Sequence, residues 1–419
     1  MRSAMKTRFA GLMLAVAVVL PVTGAPAIAA QEGLSATSDG DPGTTLLPPL
    51  PLSVGEGAPC TGASDQTATG AVWSQSALGL QQAQRLSRGA GVTVAVVDTG
   101  VASDVPGLTG RVTPVEDAGE DCVGHGTFAA GLIAAAPEKG SGVIGVAPEA
   151  TVIALRGTDE QGVPSTSRVS SGIRTAADKG AQVIYVGHTL RTGQAELTAA
   201  VAYAAQHDAL VIAPAAPDEV PKEELGADSE MPQGPYWPAA VPGVLAVVDS
   251  GPGGVRQDKA PPAYEPDLSA PGSSMVSVGP AGSGHYIGSG ASLAAAATAG
   301  AAALVRSYRP ELTAAEVSRQ LLATAYPADI PRLDPYAGLS VVPEQGKAAP
   351  AAKAVPARLP EPADAGPRNR ALAVAGAGLA IVLLLGGMAA VIPRGRARSW
   401  LPPGRGQEDT PAGREAGSA

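Results

Sequence analysis

Three short segments, each rich in glycine and other small residues, carry an acid, a base and a nucleophile. The segments are Val-Val-Asp98-Thr-Gly, Gly-His125-Gly-Thr and Gly-Ala-Ser292-Leu-Ala. A serine hydroxyl is a weak nucleophile at neutral pH unless an imidazole takes its proton and a carboxylate orients that imidazole. The segments therefore predict nucleophilic catalysis, with Asp98, His125 and Ser292 as the catalytic residues.

Two of these residues also have a plain structural interpretation. An Asp at the end of a strand often caps a turn or a helix, and a Ser at the start of an alanine-rich helix is a common N-cap. Ser292 can be both cap and nucleophile, because the helix dipole would also stabilise an oxyanion at the Ser292 backbone N–H. Ser289 is a competing hydroxyl in the same segment.

The chain has four histidines, and only His125 stands between two glycines. Glycines keep side-chain bulk away from the imidazole and allow a substrate backbone to approach. The others have different surroundings: His207 follows a helical pattern, His285 lies in a Gly/Ser-rich, hairpin-like stretch and His188 lies at the end of a strand. The sequence therefore favours His125 as the base.

Short apolar runs alternate with helical patterns between about Ser74 and Val342. The runs, typical of strands buried on both faces, are Val92–Val97, Thr151–Leu155, Gln182–Val186, Ala209–Ala213 and Gly243–Val248. The helical patterns are Phe128–Ala135, Ser165–Asp178, Glu196–Gln206, Leu293–Ser307 and Thr313–Ala323. This alternation predicts an α/β fold with a mainly parallel central sheet in a sandwich of layers. Asp98 would then lie at the carboxyl end of a strand, where ligands collect in such sheets.

At these residues the chain resembles the subtilase (subtilisin-like) family of serine proteases, in which the triad follows the order Asp, His, Ser. Gly-Ala-Ser292-Leu-Ala-Ala-Ala is similar to the family's Gly-Thr-Ser-x-Ala-x-Pro, and Leu268-Ser269-Ala270-Pro271-Gly272 resembles its Ala-Pro-Gly turn. The resemblance implies a subtilisin-like three-layer sandwich with peptidase activity. No dense carboxylate cluster indicates a calcium site, and we predict neither a metal nor a cofactor.

One family residue is missing from the chain. Subtilases place an Asn after an Ala-Ala-Gly run to donate a hydrogen bond to the oxyanion, and the resemblance places Pro217 at that position. Proline has no side-chain donor and no N–H, so the implied oxyanion hole keeps the Ser292 backbone N–H and lacks its usual partner. Loss of this Asn in subtilisin costs about 2.7–4 kcal/mol. Asp218 comes next, where a carboxylate would repel an oxyanion unless protonated, and the acidic stretch Asp218 to Glu230 is predicted to be a solvated loop.

A second departure concerns the strand that would pair with an extended substrate. In the family it usually ends Asn-x-Ser-Leu-Gly, and here it is Tyr185-Val186-Gly187-His188-Thr189. The change leaves the substrate specificity open.

Two apolar segments predict export and membrane anchoring. Residues 1–29 combine a basic start, an apolar stretch and an Ala27-Ile28-Ala29 cleavage pattern, which is typical of a signal peptide. Ala371–Ile392 is free of charge and would span about 33 Å as a helix, enough for a hydrocarbon core of about 30 Å. A buried core helix, the alternative, normally has a polar face. The arginines that follow indicate a cytoplasmic tail.

These features divide the chain into six parts. We predict a signal peptide at 1–29, a Pro/Gly-rich extension at 30–73, a subtilisin-like peptidase domain at 74–343, an Ala/Pro-rich linker at 344–370, a transmembrane helix at 371–392 and a cytoplasmic tail at 393–419. The two cysteines, Cys60 and Cys122, predict one disulfide in an exported protein, with two free buried thiols as the alternative. A disulfide would tie the extension to the rim of the site.

The net charge of −9 and a pI near 5.1 provide no basic stripe, which argues against a nucleic-acid partner. Signal peptide, extension, cleft-side cysteine and membrane helix together resemble the mycosin branch of the subtilases. Mycosins are membrane-anchored proteases associated with type VII secretion systems. The resemblance implies a polypeptide substrate, association with the type VII secretion membrane complex, and a single-pass protein of the cell membrane with its catalytic domain outside the cytoplasm.

Two functional hypotheses follow. In the first, the protein is an endopeptidase that acts on exported polypeptides. In the second, it is a catalytically impaired subtilase that serves as a structural subunit of the secretion complex. The complete triad favours the first hypothesis, and the missing oxyanion donor favours the second.

Overall fold

The computed structural model describes residues 46–220, 225–226, 231–342 and 366–397. Several predicted parts lie outside these residues: the signal peptide at 1–29, the start of the extension, most of the linker and most of the tail. The chain divides into two compact units, Met1–Pro343 and Glu344–Ala419, which are described separately.

The first unit is built on a seven-stranded parallel sheet. Its strands are β1 (Thr93–Asp98), β2 (Val112–Pro114), β3 (Thr151–Arg156), β4 (Val183–Val186), β5 (Leu210–Pro214), β6 (Leu245–Ser250) and β7 (Leu268–Pro271), in the order β2-β3-β1-β4-β5-β6-β7. All five predicted strands are present within two residues of their expected bounds. The edge strands β2 and β7 were not predicted, because three or four residues are too few for a periodic signal; the family motif had indicated a turn at β7.

Helices cover both faces of the sheet. In the unit's chain order they are α1 (Trp73–Ala77), α2 (Leu80–Leu86), α3 (His125–Ala134), α4 (Thr166–Asp178), α5 (Gln194–Gln206), α6 (Ala291–Tyr308), α7 (Ala314–Ala323) and α8 (Pro335–Ser340). The side chains of β1 alternate between two hydrophobic cores, one on each face of the sheet. Val94 and Val96 pack in the core that lies under α3 and α6. Ala95 and Val97 pack in the core that lies under α4 and α5. The predicted three-layer α/β sandwich is confirmed.

Helix α6 lies deep in the larger core. Every residue from Ala291 to Arg306 is buried, and alanine and glycine dominate this stretch, so the helix can approach its neighbours closely. At Gly300 a Cβ atom would lie only 2.6 Å from the Cβ of Val146. The alanines also favour the helix intrinsically. The start of α6 is thereby held firmly beside the carboxyl edge of the sheet.

A two-stranded antiparallel hairpin, β8 (Met275–Val278) with β9 (His285–Gly288), packs against α3. The extension lies along this hairpin, because the Leu50 N–H donates to the Ile287 carbonyl at 2.7 Å and the Ile287 N–H donates to the Pro48 carbonyl at 3.0 Å. Cys60 and Cys122 form the predicted disulfide. The described part of the extension is therefore attached to the domain.

The described residues of the second unit form one helix, α9 (Gly366–Ala397). Its segment 370–395 is long and apolar enough to cross a membrane, and among the described residues no other helix is. Its leucine, isoleucine and valine side chains are exposed. This segment includes the whole predicted span at 371–392.

Candidate active site

The structure brings the three predicted residues together at the carboxyl edge of the sheet. Asp98 ends β1, His125 begins α3 and Ser292 lies in the first turn of α6. His125 Nδ1 is 2.9 Å from each carboxylate oxygen of Asp98, and His125 Nε2 is 3.0 Å from Ser292 Oγ. All three side chains are buried. The competing hydroxyl of Ser289 instead accepts a hydrogen bond from the Ser274 N–H at 2.8 Å.

Two glycines make this row of side chains sterically possible. A Cβ atom at Gly187 would overlap the carboxylate of Asp98, and one at Gly126 would overlap the Gly100 carbonyl and lie 3.0 Å from the Asp98 Cβ. The backbone of the segment after β4 and the first turn of α3 can therefore both close against Asp98. This explains in part why the site segments contain so many small residues.

A buried carboxylate outside the triad, Asp121, positions the first turn of α3. One of its oxygens accepts from Thr99 Oγ1 at 2.8 Å and from the Gly124 N–H at 2.7 Å; the other accepts from the Thr127 N–H at 2.8 Å and from Thr127 Oγ1 at 2.6 Å. Burial raises the pKa of the Asp121 carboxyl, although these hydrogen bonds oppose the change. The sequence analysis missed Asp121, because nothing in its local sequence distinguishes it from a surface acid.

Replacing Asp121 by asparagine is expected to destabilise the protein. In either orientation the amide NH2 would face a backbone N–H, so one buried donor loses its acceptor. The free energy of unfolding should fall by about 2 kcal/mol, measured by chemical denaturation. The control Asp104→Asn, at an exposed position, should change it by less than about 0.5 kcal/mol. An equal effect of both substitutions would contradict the positioning role.

His188 provides a second imidazole that the sequence analysis did not assign to the site. Its Nε2 is 3.3 Å from Asp98 Oδ1, and its ring centroid is 5.1 Å from that of His125. Burial would raise the pKa of Asp98, but the charges of the two histidines and their hydrogen bonds outweigh it and lower the pKa well below its usual value. Asp98 is therefore an anion at any physiological pH.

Among the described residues, one group of side chains is close enough to hold a metal ion. Asp98, His125 and His188 each offer an atom within 4.8 Å of the others. Both Asp98 oxygens already lie at hydrogen-bond distance from histidine nitrogens. We therefore interpret the group as a hydrogen-bonded cluster.

The residue that faces the nucleophile from the loop after β5 is Asp218. Asp218 Oδ1 accepts from the Ser292 backbone N–H at 2.9 Å, Oδ2 accepts from Ser292 Oγ, and Oδ2 is 3.5 Å from His125 Nε2. The sequence analysis places Pro217 at this position and Asp218 in a solvated loop; instead, the Asp218 side chain is 10% exposed and lies against the site. The loop turns toward α6, where the helix dipole favours an anion.

Two carboxylates act on the same imidazole. Burial opposes the protonation of His125, but the charge of Asp98 and the hydrogen bond and charge of Asp218 raise its pKa well above the usual value for histidine. The two carboxylates therefore stabilise the protonated form of the imidazole. Only the neutral imidazole can accept the proton of Ser292.

A cleft of about 520 Å³ opens beside His125. Residues from the extension, the segment after β4 and the loop after β5 line it; among them are Leu52, His125, His188, Arg191, Asp218 and Tyr236. Gly187, His188 and Thr189, the last three residues of the predicted substrate-binding strand at 185–189, therefore line the cleft. A peptide in this cleft would lie beside the imidazole of His125.

Comparison with known proteins assigns the family. The model of the subtilase family matches residues 89–367, which is more than half of the chain. This chain belongs to the subtilase family. Subtilases are serine proteases, and the Asp98–His125–Ser292 row of this subtilase lies within the matched range.

The relatives of this subtilase include several mycosins. Mycosin-4 of Mycobacterium tuberculosis is 34% identical to it over 364 residues, which cover 73% of this chain and 78% of that protein. Mycosin-1 of Mycolicibacterium smegmatis is 31% identical over 378 residues, covering 75% and 83% respectively.

Solved structures agree with these relatives. The MycP3 protease from the type VII (ESX-3) secretion system matches with a TM-score of 0.57 and 31% identity, over 73% of this chain and 99% of that one. A chain of the periplasmic assembly from the ESX-5 inner membrane complex matches with a TM-score of 0.58 and 26% identity, over 75% and 95%. The protein is a mycosin-like subtilase related to components of type VII secretion systems.

Proposed function

We propose that this subtilase is a membrane-anchored serine endopeptidase that cleaves exported polypeptides. The observation that carries the proposal is the hydrogen-bonded triad of Asp98, His125 and Ser292, with His125 in the lining of an open cleft. A carboxylate, an imidazole and a hydroxyl in this order provide the groups that acyl transfer requires.

In the proposed reaction, neutral His125 takes the proton of Ser292 through Nε2, and Ser292 Oγ attacks the carbonyl carbon of the scissile peptide. The anion of Asp98 stabilises the imidazolium, which returns its proton to the leaving amine. The oxyanion would lie against the Ser292 backbone N–H at the start of α6, where the helix dipole favours negative charge. Water then hydrolyses the acyl-enzyme by the same proton transfers.

The membrane location of the protease is part of the same proposal. The apolar segment at 370–395 supports a single membrane anchor, with the domain at 74–343 outside the cytoplasm and the tail inside. The match to a chain of the ESX-5 periplasmic assembly supports association with a type VII secretion membrane complex. Exported polypeptides near that complex are the corresponding substrate class.

A second candidate function, a catalytically impaired subunit of the complex, has one observation in its favour. The Asp218 carboxylate accepts a hydrogen bond from the Ser292 N–H, the donor on which the oxyanion would depend. The intact row of acid, base and nucleophile argues against this candidate. A pure scaffold would not need these groups at hydrogen-bond distance from one another.

A fluorophosphonate probe tests the proposed function. Purified full-length protein at mildly alkaline pH should become covalently labelled at Ser292, identified by mass spectrometry of the modified peptide. Ser292→Ala should abolish labelling, whereas the matched variant Ser289→Ala should retain it, because Ser289 is engaged with the Ser274 backbone. Failure of an intact, folded protein to react would support the impaired-subunit function.

A further inference from the structure

We propose that Asp218 inhibits the site from within, by holding the nucleophile and occupying the position that the substrate's carbonyl oxygen must take. This inference rests on the proposed function and names the regulation of that site. The element that carries it is the loop after β5, in which Pro217 and Asp218 follow Ala215 and Ala216. Ser292 is engaged by this contact through both of its polar groups.

The first step concerns the hydroxyl proton of Ser292. An ionised carboxylate can only accept hydrogen bonds, so Ser292 Oγ donates to Asp218 Oδ2. The same proton would have to point at His125 Nε2, 3.0 Å away, for general-base catalysis. The Asp218–Ser292 contact therefore directs the proton to an acceptor that does not lead to attack.

The second step concerns the oxyanion. The Ser292 N–H, which should donate to the developing negative charge, donates to Asp218 Oδ1 at 2.9 Å instead. A substrate oxygen and this carboxylate cannot share the donor, because both are negative in the transition state and would repel each other. Gly290 makes room for the contact, since a Cβ atom there would overlap the Asp218 carboxylate.

The third step concerns the charge state of the base. The titratable groups around the His125–Ser292 pair are Asp98 from β1, Tyr185 from β4, His188 from the segment after β4 and Asp218 from the loop after β5. Helix α6 has no charged residue before Arg306, and Asp121 is turned toward Thr99 and Thr127. Asp218 is therefore the one carboxylate besides Asp98 that acts on His125 among the described residues.

The two substitutions Asp218→Ala and Asp218→Asn separate this inhibition from the mere lack of a donor. Asp218→Ala removes the carboxylate and supplies no donor. Faster labelling of Ser292 in this variant therefore reports only the release of Ser292 from its hydrogen bonds to Asp218. We expect an increase of at least about tenfold, the factor for one hydrogen bond to a charged group. Asp218→Asn also supplies an N–H2 donor for the oxyanion and should react roughly 100-fold faster than the unmodified chain.

The pH profile provides a second readout. Reaction requires neutral His125, so the rate rises with pH through the pKa of that imidazole. Loss of the Asp218 charge lowers this pKa, so the rising part of the rate-against-pH curve should move to lower pH in both variants. The control Asp258→Asn removes an exposed carboxylate outside the cleft. It should change neither the labelling rate nor the pH at which that rate rises.

The experiment measures the rate of fluorophosphonate labelling of full-length protein against pH for all four chains, with folding checked by circular dichroism. Faster labelling of both Asp218 variants supports the inference. Equal or slower labelling of both, with Ser292 labelled in the unmodified chain, overturns it and leaves the proposed function standing. Labelling that rises in Asp218→Asn alone overturns it as well, because only a donor was then lacking. No labelling of any chain overturns the proposed function and this inference together.

Discussion

Replacement of His125 by alanine is expected to lower the rate of peptide hydrolysis by about 10⁴-fold or more. The imidazole lies at hydrogen-bond distance from both Asp98 and Ser292 Oγ, so it can carry a proton between the nucleophile and the leaving group. Loss of the base in subtilisin lowers kcat by about 10⁶-fold, so 10⁴-fold is a lower bound. The rising limb of the pH profile should disappear together with the rate, because it reports the titration of His125.

The matched control is His207→Ala. His207 is exposed at the end of α5, and its Nδ1 is 2.9 Å from the Tyr203 carbonyl oxygen, so its loss should leave turnover within about twofold. Turnover of a peptide substrate and labelling of Ser292 should be measured on the same preparations. Retention of most of the activity in His125→Ala would mean that another group, such as Asp218, takes the proton of Ser292.

The Asp98–His125–Ser292 triad was predictable from the sequence because each of its members lies in a distinctive local segment. Glycines beside Asp98, His125 and Ser292 mark places where backbone and substrate must approach closely, and the alternation of strands and helices places all three at one edge of a parallel sheet. The central strands were predicted for a similar reason. Their apolar runs are long enough to be recognised without any knowledge of the neighbours.

The second imidazole was not predictable in this way. His188 meets Asp98 because β4 lies next to β1 in the sheet, an order that the sequence does not state. Its position in the substrate-binding segment of the subtilase pattern was a usable signal. The sequence analysis used that signal for specificity alone.

The Asp218 contact depends on features that only the folded chain reveals. Asp218 and Ser292 are 74 residues apart, and their meeting depends on the course of the loop after β5 and on the missing side chain at Gly290. A charge-rich stretch normally predicts solvation. Here its first carboxylate is drawn to the start of α6, which offers a backbone N–H and a favourable dipole.

Removal of the disulfide by the double substitution Cys60→Ser and Cys122→Ser is expected to lower the free energy of unfolding by about 4 kcal/mol in the chain-entropy model. The two cysteines are separated by 62 residues. The bond therefore closes a long loop and lowers the conformational entropy of the unfolded chain. The native contacts beside the bond remain, since the Thr61 N–H donates to the Cys122 carbonyl at 2.9 Å and Thr61 Oγ1 donates to the Val123 carbonyl at 2.7 Å. The labelling rate of Ser292 should therefore change much less than the stability.

Chemical denaturation of the full-length protein, with and without a reducing agent, separates the contribution of the bond from that of the substitutions. The unmodified chain should lose stability when reduced, and the double variant should be insensitive to the reductant and match the reduced chain. Equal stability of oxidised and reduced protein would contradict the entropic role of the bond. If the double variant instead lost Ser292 labelling while staying folded, the bond would be required to position Asp121 and His125, which lie one and three residues from Cys122, and not only to restrict the unfolded chain.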